Sequence, residues 1–101
     1  MEPPRVRLPR NEMQAFCFRH HIRKLSFFGS VLTPRFRPDS DVDVLVEFES
    51  GHTPGYFALS GMEAELSEML GRKADLRTPE ELSPYFRDEV VRTASAQYER
   101  G

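Results

Sequence analysis

One cysteine, Cys17, stands among 101 residues, so no disulfide can form within the chain and a reducing, cytoplasmic compartment is the expectation. No apolar run approaches the roughly 20 residues of a membrane span, and no signal-peptide pattern opens the sequence. Positive charge is not in excess. Fourteen Lys and Arg face sixteen Asp and Glu, a formal charge of −2, which argues against a dedicated nucleic-acid binder. Internal repeats and low-complexity tracts are absent, and Lys24 and Lys73 are the only lysines. What is present is ordinary globular material, 39% hydrophobic and 30% charged. The length predicts one domain over 1–101, with room for one core and one site.

The apolar periodicity divides the chain. Residues 1–9 carry three prolines and predict an extended lead-in. Met13, Phe16, Cys17 and His20 share one face of a helix with Asn11 as its N-cap. His20 and His21 are adjacent and so point apart on a helix; a solvated helix end is expected there rather than a metal site. Ile22–Phe28 alternates as a strand, with Ile22, Lys24, Ser26 and Phe28 on one side, and stops at Gly29-Ser30. Asp41–Phe48 is the clearest strand, apolar on the face of Val42, Val44, Val46 and Phe48. A helix follows over 56–70, with Leu59, Met62, Leu66, Met69 and Leu70 inward and Glu63, Glu65 and Glu68 outward. Gly71 supplies its stop. Lys73–Arg77 reads as a third strand, Thr78-Pro79-Glu80-Glu81 as a capped helical turn, and 84–94 as a last helix. The tail beyond Ser95 fits no pattern clearly. The order predicts an α/β (α+β) fold, a small sheet with helices packed on it.

Chemistry concentrates between Phe28 and Asp43. Asp41 and Asp43 sit two apart on a strand, so both carboxylates leave the same face and repel one another. A divalent cation would relieve that repulsion, and hard oxygen ligands suit Mg²⁺. Gly29-Ser30 follows directly on a strand. A glycine there lets backbone approach a ligand, and the hydroxyl and N–H groups after it can cradle phosphate. Ten residues separate this pair from Asp41. If the two strands are neighbours, both halves converge on one nucleoside triphosphate. Asp75, flanked by Ala74 and Leu76, adds a third carboxylate if its strand lies beside that of Asp43. Three such groups can hold two metal ions and take a proton from an attacking hydroxyl, which suits displacement at the α-phosphorus with pyrophosphate leaving.

Gly29-Ser30, the ten-residue gap, Asp41-Val42-Asp43 and the downstream Asp75 together resemble the minimal nucleotidyltransferases of the DNA polymerase β superfamily. The resemblance spans nearly the whole chain. It implies a polymerase β-like fold with a small mixed sheet, Gly29 and Ser30 at the triphosphate, Asp41 and Asp43 as Mg²⁺ ligands, and Asp75 as the carboxylate that shares a metal and helps activate the acceptor. Stand-alone members resemble antitoxins paired with a helical HEPN-domain ribonuclease encoded nearby; they transfer AMP from ATP to a tyrosine of that toxin. The expected partners are therefore ATP and a HEPN toxin, with no membrane and no direct nucleic-acid contact. One departure stands out: Val31-Leu32-Thr33-Pro34 follows the Gly-Ser where many relatives have basic and glycine residues, leaving Arg35 or Arg37 to meet phosphate. Two other readings compete, a non-catalytic antitoxin acting by contact alone and a small-molecule nucleotidyltransferase with a separate acceptor subunit.

Overall fold

The computed structural model describes Val6 and residues 9–100. The lead-in expected over 1–9 lies outside the described residues apart from Val6 and Pro9; Val6 is buried in the core. Helix α1 spans Arg10–Arg19, strand β1 Ile22–Phe28, β2 Val42–Phe48, helix α2 Tyr56–Leu70, β3 Ala74–Arg77, helix α3 Arg87–Thr93 and strand β4 Ser95–Glu99. The strands form one mixed sheet in the order β3-β2-β1-β4. β1 pairs antiparallel with both β2 and β4, and the crossover through α2 makes β3 parallel to β2. Among the described residues no helix is long and apolar enough to cross a membrane.

One core lies between the helices and a face of the sheet. Met13, Phe16 and Cys17 of α1 and Met62, Leu66 and Leu70 of α2 are buried with Val42, Val44 and Val46 of β2 and Ala74 and Leu76 of β3. Leu59, Phe48 and Met69 pack against that cluster, so both stripes expected from the sequence face inward. Burial pushes the Cys17 thiol up to about 12, leaving it a small apolar side chain rather than a nucleophile. Leu45 lies on the opposite face of β2 yet is also buried, outside the main cluster. That second face carries Asp43, Glu47, Asp75 and Arg77.

Several expectations are corrected. α1 begins at Arg10 with Pro9 at its N-cap, and no side chain caps it; Asn11 is exposed inside the first turn. Proline is pre-set for a helix entry and loses no N–H bond there. β1 does not keep strict alternation. Ile22 pairs with Phe48 and Lys24 with Glu47, so Arg23 is an extra residue in the ladder, and beyond it Leu25 and Phe27 take the buried face of Ile22. The second and third strands start one residue late: Asp41 and Lys73 precede β2 and β3 rather than belonging to them. The last helix is shorter than 84–94, because Ser83 starts a turn in which its carbonyl accepts from Phe86 and Arg87 N–H and its hydroxyl from Tyr85 N–H. The capped turn at Thr78 is present, with Glu81 Oε1 accepting from the Thr78 N–H at 3.0 Å and its hydroxyl at 3.1 Å.

Glu63 is the most informative correction. It does not face outward. Its Oε2 accepts the Leu76 N–H at 2.7 Å, and Ser67 Oγ, one turn further along α2, accepts the Ala74 N–H at 2.8 Å. Two donors on the outer edge of β3 are thereby satisfied by helix side chains, which closes an edge that would otherwise invite another strand. Glu63→Ala is expected to cost about 1–3 kcal/mol by stranding the Leu76 donor, while Glu63→Gln keeps an acceptor and costs less. Denaturant unfolding of the two variants beside the wild type measures the difference.

Candidate active site

The site is assembled by strand register. Phe28 of β1 stands opposite Asp43 of β2, and Asp43 stands beside Asp75 of β3. The end of one strand and the starts of two others thus meet, and all five residues expected at the site fall there. Gly29 takes a left-handed φ of +76° as it leaves β1, a conformation that costs other residues but not glycine. It opens a short 3-10 turn, Gly29–Leu32, in which Val31 is buried. The departure after the Gly-Ser thus has a structural role: Val31 roots the turn in the core. The carbonyl of Ser30 accepts from the Thr33 N–H and hydroxyl, at 2.9 and 2.8 Å. Its own hydroxyl has no hydrogen-bond partner among the described residues.

The connection from Thr33 to Ser40 delivers Asp41 and is tied down by Arg72. That guanidinium lies 4.7 Å from the centre of the Phe36 ring and donates to the carbonyls of Arg37 at 3.3 Å and Ser40 at 3.4 Å. Phe36 is itself buried. Arg35 and Arg37 remain exposed on this loop. The Val42 N–H then bonds the Lys73 carbonyl at 2.9 Å, fixing the start of β2 against that of β3.

Electrostatics couple Asp43 to both neighbouring acids. Burial lifts the Asp43 carboxyl above the ordinary range, the charges of Asp75 and Asp41 lift it further, and Arg77 pulls it part of the way back. Asp41 is half exposed, with Lys73 Nζ 4.0 Å from its Oδ2. Arg77 and Lys73 are cations at the rim that the sequence reading passed over. A usable signal existed, since Arg77 lies two residues from Asp75 on a strand and shares its face. The donors at the centre are hard carboxylate oxygens whose mutual repulsion Arg77 and Lys73 offset only in part, and this set suits a divalent cation such as Mg²⁺.

Gly29 and Asp43 touch more intimately than their spacing in sequence shows. A Cβ built on Gly29 would lie 2.5 Å from Asp43 Oδ2, so any side chain must turn the carboxylate away. Gly71 makes a clean control: its φ is +72°, but a Cβ there meets nothing within 4 Å. Both Gly→Ala changes are expected to cost about 1–2 kcal/mol in backbone strain. Gly29→Ala alone should lower nucleotide transfer, by tenfold or more, because it alone displaces a carboxylate of the site. Equal transfer rates in the two variants would detach Gly29 from the chemistry.

The comparisons with known proteins agree with this geometry. The nucleotidyltransferase domain model matches residues 12–96. A Methanocaldococcus jannaschii protein named as a protein adenylyltransferase is 32% identical over 76 residues, covering 75% of this chain and 80% of its own. The protein adenylyltransferase MntA of Thermococcus cleftensis is 36% identical over 58 residues, 57% of each chain. A structure described as a minimal nucleotidyltransferase superposes with a TM-score of 0.68 at 34% identity, covering 84% of this chain and 85% of that one. A toxin–antitoxin complex with AMP-PNP shares the fold at a TM-score of 0.73 and 19% identity, covering 91% of this chain and 74% of that one. The resemblance read from the Gly-Ser turn and the acidic strand is borne out: the chain belongs to the nucleotidyltransferase domain family, and it is an enzyme of that class.

Proposed function

We propose that the protein transfers AMP from ATP to a tyrosine hydroxyl of a HEPN-type ribonuclease toxin and so acts as its antitoxin. The observation that carries this reading is the adjacency of Asp43 to both Gly29 and Asp75, which sets the Gly29-Ser30 turn beside two carboxylate-bearing strands. Names of relatives point the same way: both sequence relatives described above are named as protein adenylyltransferases, and the neighbouring structures include a tri-AMPylated HEPN toxin of Shewanella oneidensis in complex with an MNT antitoxin. Tyr56, Phe57 and Tyr85 are 81%, 90% and 98% exposed, and aromatic side chains bared to this degree suit a protein acceptor better than a small molecule.

Asp41, Asp43 and Asp75 would hold two Mg²⁺ ions, which when bound neutralise triphosphate charge and lower the pKa of the acceptor hydroxyl. The chain's own groups do the rest. Gly29, having no side chain, leaves room for the Asp43 carboxylate at the turn that the triphosphate approaches. The Ser30 hydroxyl donates to a phosphate oxygen, and Arg35 or Arg37 offers a cation to the same end of the nucleotide. Asp75 accepts the proton of the tyrosine hydroxyl as the tyrosine oxygen bonds the α-phosphorus. The bond from that phosphorus to the bridging oxygen breaks, and pyrophosphate departs with the electron pair.

Ser30→Ala is expected to slow transfer by roughly 10- to 100-fold, the worth of one hydrogen bond to a charged group. Single-turnover kinetics at saturating partner give that number directly. The function as a whole is tested by incubating the protein with labelled ATP, Mg²⁺ and the product of the neighbouring reading frame, then mapping label by mass spectrometry. A helical neighbour with an Arg-x4–6-His motif that gains AMP on tyrosine supports the proposal. Label that enters only small molecules refutes it.

A further inference from the structure

The far end of the sheet holds a second constellation. Glu49 follows β2 directly, six residues beyond Asp43, which at strand rise places it roughly 20 Å from the carboxylate site. His21 and Glu49 are joined through the backbone, the Glu49 N–H donating to the His21 carbonyl at 2.8 Å. Gly51, at φ +80°, turns the chain so that the His52 N–H reaches the Glu49 carbonyl at 2.9 Å. Two hydrogen-bonded connections therefore hold three potential ligands around one point. The His21 and His52 rings stack with centroids 4.0 Å apart and planes 16° from parallel. His21 Nδ1 lies 3.9 Å from Glu49 Oε1, and one ligand atom from each residue falls within 4.8 Å of the other two.

His21 is also the only described non-glycine residue with positive φ, at 57°. Glycine would fill that helix-exit position at lower cost. Its neighbour His20 is engaged elsewhere, with Nε2 at 3.0 Å from Glu65 Oε1. The two adjacent histidines do point apart, as the sequence suggests, but His21 is left facing a second histidine and a carboxylate from other segments.

We propose that His21, Glu49 and His52 form a transition-metal site of the Zn²⁺ class, separate from the carboxylate site. Two imidazoles and one carboxylate suit Zn²⁺ rather than Mg²⁺, which prefers an all-oxygen shell. Bonds of about 2.1 Å in a tetrahedron need ligand atoms about 3.4 Å apart. Both histidines are exposed, so their rings are free to tilt out of the stack and close that gap. Arg100 occupies Glu49 Oε2, leaving Oε1 as the metal-facing oxygen. The ion would clip the exit of α1 and the start of β1 to the loop after β2, with the fourth position open to water.

The test is calorimetric titration of Zn²⁺ into the full chain carrying Asp41→Asn and Asp43→Asn, so that the acidic pair takes up no metal. The expected result is one ion per chain, with the histidine ring signals of His21 and His52 shifting in NMR. His21→Asn keeps a residue that tolerates left-handed backbone, and it and His52→Gln should each weaken binding at least tenfold. His20→Gln should leave affinity unaltered. Absence of saturable uptake would overturn the proposal, as would unchanged affinity in the His21→Asn, His52→Gln double variant or an equal loss in His20→Gln.

Discussion

The Asp41→Asn, Asp43→Asn double variant is expected to lose nucleotide transfer by roughly 10³-fold or more while melting at a higher temperature than the wild type when both are metal-free at pH 7. The two effects share one cause. Asp43 is held above the ordinary carboxylate range by burial and by the charges of Asp75 and Asp41. The folded state therefore binds that proton more tightly than the unfolded chain does. This contribution to stability is fully present below the ordinary value of 3.8 and is lost as pH rises through the elevated folded value. At neutral pH the ionised acid is a burden that the neutral amide removes. The melting advantage of the double variant should accordingly shrink on acidification and vanish below the ordinary carboxylate range. Metal-free thermal melts across that pH range, beside transfer assays at pH 7, check both halves. A double variant less stable than the wild type at pH 7 would show that the acids help the fold rather than burden it.

The same elevation sets the sense of metal dependence. On the proposed metal role Mg²⁺ would bind the ionised carboxylates in competition with protons, so the metal concentration needed for half-maximal transfer should rise as pH falls toward the Asp43 value.

Much of this arrangement was legible in the sequence where local rules act. β1 and α2 end where Gly29 and Gly71 permit left-handed backbone, and the valines of β2 alternate without interruption. The Thr78 turn carried its own cap. What escaped depends on partners distant in the chain. β4 has a weak apolar pattern, and only Tyr98 packs on the core; its pairing with β1 makes it a strand. Glu63 looks like a solvent-facing acid until β3 arrives with the Leu76 N–H. The bulge at Arg23 is invisible because it is set by registration against β2. At the site, residue types and spacing single out Gly29, Ser30, Asp41, Asp43 and Asp75 as candidates, and the strand register sets them where β1 ends and β2 and β3 begin. The contact of Gly29 with Asp43 appears only once the strands are in register, whereas Arg77 was legible from its two-residue spacing to Asp75. His21 and His52 lie in separate segments, and the loop geometry after β2 is what joins them.

In the proposed mechanism Asp75 is the residue that separates binding from chemistry, and its replacement gives the most direct measurement. Asp41 and Asp43 retain their carboxylates in Asp75→Asn, so nucleotide and partner affinities should stay near those of the wild type. The acceptor proton has no comparable acceptor left. A tyrosine hydroxyl with an unperturbed pKa near 10 is a poor nucleophile at neutral pH without such help, and AMP transfer should fall by roughly 10²–10⁴-fold. The decisive experiment expresses Asp75→Asn with the proposed HEPN toxin in growing cells and examines that toxin's tyrosines by mass spectrometry. The enzymatic account predicts failed growth rescue with unmodified tyrosine, despite preserved complex formation. Full rescue by Asp75→Asn with no modified tyrosine would contradict it and show that neutralisation proceeds by contact alone.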